Sequence, residues 1–437
     1  MKFRLAVFVP IFVTTVFYAA IASAQALPAA KPESVGLSSK RLQNISAVFS
    51  GHIERGALPG VTFMVARKGK LVYSDAIGFR NNATRQPMTH DTIFRIYSMT
   101  KPLVSVAAMM LVEDGVLQLT DPVSKFLPSM KNRQVSVAKV DAEFAKTVYS
   151  LESAQREMTV QDLLRHTAGL AYGEITSNKP VRQAYASGGL YRTTSNFDIR
   201  DLQPRQQVTA FSQAPLAHHP GSVWEYSLAS DLLGRVVEAV SGTRLADFLD
   251  NRLFKPLNMI DSGFQVDQQH LPRVAEPLGT DAAGNKTVQL IDVAITPAND
   301  SGGAGGVSTA ADYLRFSQML LNGGQLGGTR VLSRSSVALM ASDHLGDRIS
   351  TPLTPGELLL GTPGYTFGLG FAVREEQGIA GVPGSKGEFM WGGYAGTFFW
   401  IDPAEQIVAV YMSQAPGPAR AYYRKLFKQL VYAAIID

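Results

Sequence analysis

The run Leu103-Val104-Ser105-Val106-Ala107-Ala108-Met109-Met110-Leu111-Val112 is apolar nearly all round. A helix with no polar face has no side to offer water, so other elements must wrap it completely. A chain of 437 residues is long enough to do this with two lobes around a large core. Directly before the run stand Ser98-Met99-Thr100-Lys101-Pro102. Positions i and i+3 share a helix face, so Lys101 is expected to lean over Ser98 at the helix start. Pro102 is tolerated there, because the first N–H groups of a helix have no intrahelical partner. The positive end of the helix dipole favours an alkoxide, and a lysine in so dry a setting leans toward its neutral, basic form. A serine with its own base is an activated nucleophile.

The same spacing recurs in Ser136-Val137-Ala138-Lys139, in a polar region with no buried helix behind it, so it carries little weight.

Strand signals collect at the two ends of the chain. Helical spacing over Ser39 to Glu54 places Leu42, Ile45, Val48 and Phe49 on one side. Val61 to Ala66 and Leu71 to Ser74, separated by Lys68-Gly69-Lys70, read as a hairpin. Gly393 to Ile401 and Ile407 to Met412 read as a second hairpin, followed by a helix with Tyr423, Leu426, Phe427, Leu430 and Val431 on one side. From about Gly115 to Asp292 the pattern is mostly helix and loop. Leu232, Leu233, Val236, Val237 and Val240 recur at helical spacing, up to a stop at Ser241-Gly242. The glycine-dense Ser301 to Gly306 lacks the lysine of a phosphate loop and reads as tight backbone packing.

The expected fold is therefore of α/β (α+β) type. An antiparallel sheet is built from both ends (about 37–90 and 293–437) and flanked by helices. A mainly helical lobe (about 91–292) is inserted between, with a cleft at the junction.

Residues 1–24 read as a secretory signal. Lys2 and Arg4 precede the apolar Leu5 to Ala20, and Ala22-Ser23-Ala24 fits a cleavage site. Residues 25–437 then form a single exported domain, periplasmic or secreted, with no membrane anchor. Without cysteine there is no disulfide and no thiol nucleophile. Loss of Lys2 and Arg4 lowers the formal charge from +5 to +3, too little and too scattered for a nucleic-acid partner. The seven histidines never fall at metal-ligand spacing, so neither metal nor cofactor is expected. No strict Gly-x-Ser-x-Gly occurs.

In order, Ser98-Met99-Thr100-Lys101, Tyr226-Ser227-Leu228 and Trp391-Gly392-Gly393 resemble the motifs of the serine β-lactamase and penicillin-binding-protein superfamily. More narrowly the chain is similar to the family VIII carboxylesterases, the esterase branch close to class C β-lactamases. The resemblance implies an acyl-enzyme on Ser98, with Lys101 as its base partner and Tyr226 relaying the proton. It also implies an oxyanion hole made by the N–H groups of Ser98 and Tyr394. Gly392 and Gly393 would let a strand edge approach the acyl group. Tyr172 either lines the cleft or packs in the helical lobe.

Two departures shape the expected substrate. Leu228 stands where class C enzymes usually have asparagine, and Trp391 stands where they hold the lysine that meets a β-lactam carboxylate. An aromatic wall in place of that cation suits an uncharged ester. The expected activity is carboxylic-ester hydrolysis on a small-molecule substrate. A β-lactamase, a D-amino-acid amidase or peptidase, and a non-catalytic ligand-binding member remain open alternatives.

Overall fold

The structure, a computed structural model, describes residues 27–141, 146–193, 196–280, 284 and 286–437. The leader expected over 1–24 lies outside the described residues. Helix α1 spans Ser39–Glu54, with Ser38 accepting from the Arg41 N–H as its cap and Leu42, Ile45 and Phe49 buried. Strands β1 (Gly60–Arg67) and β2 (Lys70–Asn81) form the first hairpin. Lys68 and Gly69 turn it at φ 52° and 73°, the pair of positive angles that matches the twist of a two-residue turn.

Strand β3 is Gln86–Pro87, and helix α2 (Thr100–Glu113) is buried from Thr100 through Leu111. Helix α2 packs on α3, which spans Ala229–Ser241 and stops at Gly242 in the left-handed region. The region between holds a hairpin that the expectation of helix and loop did not contain. Its strands are β4 (Gln134–Asp141) and β5 (Lys146–Ser153). Ser136 and Lys139 lie in β4, where residues three apart point to opposite faces. Ser136 is buried and Lys139 pairs with Glu152, so this second serine–lysine spacing makes no site.

Helix α4 (Ala310–Leu321) is capped by Thr309. Five strands of the main sheet follow: β6 (Tyr365–Phe367), β7 (Ala372–Arg374), β8 (Phe389–Gly392), β9 (Phe398–Asp402) and β10 (Ile407–Met412). Helix α5 (Arg420–Tyr432) closes the chain. The main sheet has the order β6-β7-β8-β9-β10-β1-β2-β3 and is antiparallel throughout. The expected strand from Gly393 begins only at Phe398. Gly393 to Thr397 is instead a tight turn in which the Gly393 N–H bonds the Thr397 carbonyl, 2.8 Å.

Alternation in β9 shows how the sheet is covered. Trp400 meets Phe427 of α5 at 5.3 Å between centroids, whereas Phe399 meets Tyr313 of α4 at 4.9 Å. Successive side chains point to opposite faces, so both faces of the sheet lie under helices.

Candidate active site

Ser98 is presented by a strained turn. The short ladder Phe94–Arg95 with Val307–Ser308 fixes the approach, and the Ile96 N–H donates to the Gly306 carbonyl at 3.0 Å. In return the Gly306 N–H donates to Thr100 Oγ1 at 2.9 Å. Between these anchors Tyr97 adopts φ 44°, rare for a bulky residue and worth on the order of 1–3 kcal/mol of strain. Its buried ring holds it there, with the hydroxyl accepting from the Ile291 N–H at 3.0 Å. Ser98 thus sits half-buried in a 3-10 turn just ahead of α2, rather than in the helix's own first turn.

Lys101 is buried, and its Nζ lies 3.5 Å from Ser98 Oγ. Its shorter bonds go to the Tyr172 hydroxyl at 2.9 Å and the Gly303 carbonyl at 2.8 Å. The same Nζ stands 4.6 Å from the centroid of the Tyr226 ring. The glycine-dense loop therefore packs tightly, as expected, and also supplies an acceptor for Lys101. A Cβ on Gly303 would come within 2.2 Å of Asp231 Oδ2.

Asp231 carries no signal in the sequence. It is fully buried at the start of α3 and accepts from Ser301 Oγ at 2.6 Å. Burial raises its carboxyl above the ordinary range, against the pull of the Lys101 charge. Burial likewise pushes the Tyr172 phenol well up, helped by Tyr226, Asp231 and Glu174 nearby, so Tyr172 stays protonated. Tyr172 is thus a direct partner of Lys101 and not merely cleft lining.

The Tyr226 ring packs between Tyr172 and Trp391, each 5.3 Å away between centroids. Its buried hydroxyl has no hydrogen-bond partner among the described residues. His166, 5.0 Å from the Tyr226 ring, bonds Ser227 Oγ through Nδ1 at 3.1 Å. Burial and the Lys101 charge hold its imidazole well below the usual range, hence neutral. Leu228 is buried beneath.

The sheet side comes from the end of β8. A Cβ on Gly393 would lie 2.4 Å from the Ile96 carbonyl oxygen, so only glycine lets this strand end touch the Ser98 turn. Gly392 makes room for another element, since a Cβ there would meet the Arg424 guanidinium at 2.8 Å. Ser98, Tyr172, Tyr226, Trp391, Gly392, Gly393 and Tyr394 all line one cavity of about 280 Å³. A second cavity of about 650 Å³ adjoins it through Ile175, Tyr226 and Leu358. Arg420 and Arg424 of α5 line the first cavity too. The expected cation-free wall at Trp391 is therefore incomplete, because two guanidiniums reach the same space from another element.

The chain matches the Beta-lactamase family over residues 45–433. It is 35% identical over 370 residues to an uncharacterized protein of Mycobacterium tuberculosis, covering 83% of this chain and 87% of that one. Esterase EstB of Burkholderia gladioli is 31% identical over 381 residues, covering 82% and 87%. Among solved structures, EstCE1, described as a hydrolase with promiscuous acyltransferase activity, superposes with a TM-score of 0.72 at 27% identity. It covers 90% of this chain and 98% of its own. With the family match spanning most of the chain and the esterase relatives beside it, the protein belongs to the β-lactamase family, on its branch of family VIII-like serine esterases.

Proposed function

We propose that the protein is an exported serine carboxylesterase that works through an acyl-enzyme on Ser98. The observation that carries this is Lys101 Nζ 3.5 Å from Ser98 Oγ, at an aromatic-lined cavity where the Tyr226 hydroxyl has no partner. Ser98 Oγ attacks the ester carbonyl carbon as its proton passes to the Lys101–Tyr226 pair. The oxyanion is held by the N–H groups of Ser98 and Tyr394, a contribution of about 10²–10³ in rate for each donor. Collapse expels the alcohol, which takes the proton back from the Tyr226 side. Water then yields a proton to the same pair, its oxygen attacks the acyl carbon, and Ser98 recovers its hydrogen as the acid leaves. The names of EstB and EstCE1 support ester chemistry, and the leader pattern of residues 1–24 supports export.

A fluorophosphonate probe tests the nucleophile. Mass spectrometry is expected to find the adduct on Ser98, Ser98→Ala to abolish labelling and ester hydrolysis, and Ser136→Ala to leave both intact. An adduct on another serine, or turnover surviving in Ser98→Ala, defeats the assignment. Leu228 is buried and offers no amide to anchor a β-lactam side chain, so short-acyl esters should exceed cephalosporins in kcat/KM. A cephalosporin hydrolysed as fast as the best ester makes β-lactamase the leading reading.

A further inference from the structure

Lys101 is a buried amine that makes no ion pair among the described residues. Its three hydrogen bonds go to the Ser98 hydroxyl, the Tyr172 hydroxyl and the Gly303 carbonyl, all uncharged acceptors. A desolvated lysine left to itself drifts toward the neutral form and becomes a weaker base. A base works best when it titrates near the pH at which it operates, so a negative charge close by changes what such a lysine does.

That charge comes from α3. Asp231 is buried in its first turn, with Oδ1 accepting from Ser301 Oγ at 2.6 Å and Oδ2 making no hydrogen bond among the described residues. The loop that carries the acceptor of Lys101 is fitted to this carboxylate. A Cβ on Gly302 would lie 2.3 Å from the Ser230 carbonyl oxygen. One on Gly303 would lie 2.2 Å from Asp231 Oδ2 and 3.3 Å from the Tyr172 hydroxyl. Ser301 Oγ, which donates to Asp231, accepts from the Ala304 N–H at 3.1 Å. Through Ser301 the carboxylate therefore ties both ends of the turn whose Gly303 carbonyl meets Lys101.

Asp231 and Lys101 also act on each other by charge. Burial raises the Asp231 carboxyl, and the Lys101 charge leads the influences that favour the carboxylate, followed by the Ser301 bond and Arg235. Arg235 is itself engaged, with Nη1 2.9 Å from Glu238 and Nη2 donating to the Asp300 carbonyl at 2.8 Å. The other groups facing the pair are the Tyr172 phenol, kept protonated by burial, the Tyr226 ring, and His166, held neutral by burial and Lys101. Glu174 acts on Tyr172, but burial drives its carboxyl toward the neutral form.

We propose that Asp231 is the positioning residue of Lys101: it holds the Gly303 carbonyl against Nζ, and its charge keeps the lysine a strong base. This rests on the esterase reading for its effect on turnover, though not for its effect on Lys101 itself. An acid in the first turn of a helix also suits the dipole. That role alone would show in the melting temperature and not in a titration.

The test compares the parent with Asp231→Asn, which keeps an acceptor for Ser301 Oγ and removes the charge. On one short-acyl ester, the acid limb of kcat/KM against pH should move to lower pH by about 1 unit or more, the span for losing a neighbouring opposite charge. The plateau should fall as well, because the base is weaker. A lower plateau with the limb unmoved would mean a merely structural role and overturns the proposal.

The lysine is also read without turnover, by nuclear magnetic resonance on Ser98→Ala protein isotope-labelled at the lysine Cε. The Lys101 resonance, identified by its loss in Lys101→Met, should titrate about 1 unit lower once Asp231→Asn is added. That shift supports the proposal even if Ser98 proves not to be the nucleophile, and equal midpoints overturn it even if Ser98 is. Ser301→Ala covers the case in which Asp231→Asn does not fold. It removes a bond that favours the charged carboxyl, so the Lys101 midpoint should fall in the same direction by less. With Asp231→Asn unfolded, an unmoved midpoint in Ser301→Ala overturns the proposal.

Discussion

Lys101 directs its shortest bonds to the Tyr172 hydroxyl and the Gly303 carbonyl, and only its longest, 3.5 Å, to Ser98. In the proposed mechanism, Tyr172 holds Lys101 Nζ in place for the serine. Tyr172→Phe keeps the ring against Phe197 and Tyr226 but removes the acceptor. It should lower kcat about 10- to 100-fold with little change in KM, whereas Tyr226→Phe, if it removes a general acid–base, should cost about 10²–10⁴. Steady-state kinetics on one ester decides, and an unchanged kcat in Tyr172→Phe sinks the positioning role. Glu174 gives a prediction in pH. Burial pushes its carboxyl up to about 7, outweighing backbone N–H donors and Arg182. The unfolded chain releases that proton near 4.5, the folded chain near 7, so the stabilising effect of the proton is present below 4.5 and lost as pH rises to 7. Glu174→Gln should thus melt higher than the parent at pH 8 and close to it at pH 4; calorimetric scans showing the opposite order refute the shift. Ser98, Lys101 and Tyr226 were legible because a short motif names them. Asp231, Arg420 and Arg424 were not, since what marks them is a charge enclosed near the nucleophile by distant elements, a property only tertiary structure creates.

At the scale of elements, legibility followed the strength of the local code. Helix α1 matches its expected bounds because Ser38 caps it and its apolar spacing is regular. The β1–β2 hairpin was readable from the glycine turn Lys68-Gly69-Lys70, where Gly69 takes a positive φ freely. The β4–β5 hairpin was missed because its strands are short of apolar alternation: Leu151 is exposed, and Lys139 and Glu152 pair across it. Helix α5 was visible as an amphipathic helix, yet its polar anchors were not. Glu388, just before β8, receives Arg374 Nε at 2.8 Å, the Tyr365 hydroxyl at 2.7 Å, the Tyr432 hydroxyl at 3.1 Å and the Lys428 ammonium. The side chains of Glu388, Arg374 and Lys428 are fully buried. Glu388 is the hub, so its loss strands two cations at once. Glu388→Leu should destabilise by about 3–5 kcal/mol or more, the range for an orphaned buried charge. Lys428→Met leaves Glu388 with Arg374 and two hydroxyls and should do much less harm. Denaturant titrations give the ranking, and equal losses would show that the charges do not act as a hub and spokes.

At the scale of the whole molecule, strand-formers at the two ends and helices between were enough to read an antiparallel sheet closed by both termini. The cavity was harder to read, because it joins residues near 98, 172, 226, 391 and 420, and no local pattern gives their distances. That closure makes the C-terminal segment integral. Phe427 lies 5.0 Å from Phe63 of β1 and 5.3 Å from Trp400 of β9 between ring centroids. Arg424 covers Phe398, and Lys428 reaches Glu388. The chain end also ties back to α1, where the Ser38 N–H donates to the Ala434 carbonyl at 2.8 Å. Each large apolar side chain uncovered here is worth about 1.5–3 kcal/mol. A domain has only about 5–15 kcal/mol in total. Removing residues 420–437 would uncover Phe63, Trp400 and Tyr411 and take away Phe427 and Val431, more than the fold can lose. The truncated chain should show no cooperative thermal transition and accumulate as aggregate. Removing only Ile436 and Asp437, both exposed, should leave the transition sharp. A sharp melt with unchanged near-ultraviolet dichroism in the longer truncation would show that α5 is an accessory and not a closing element of the sheet.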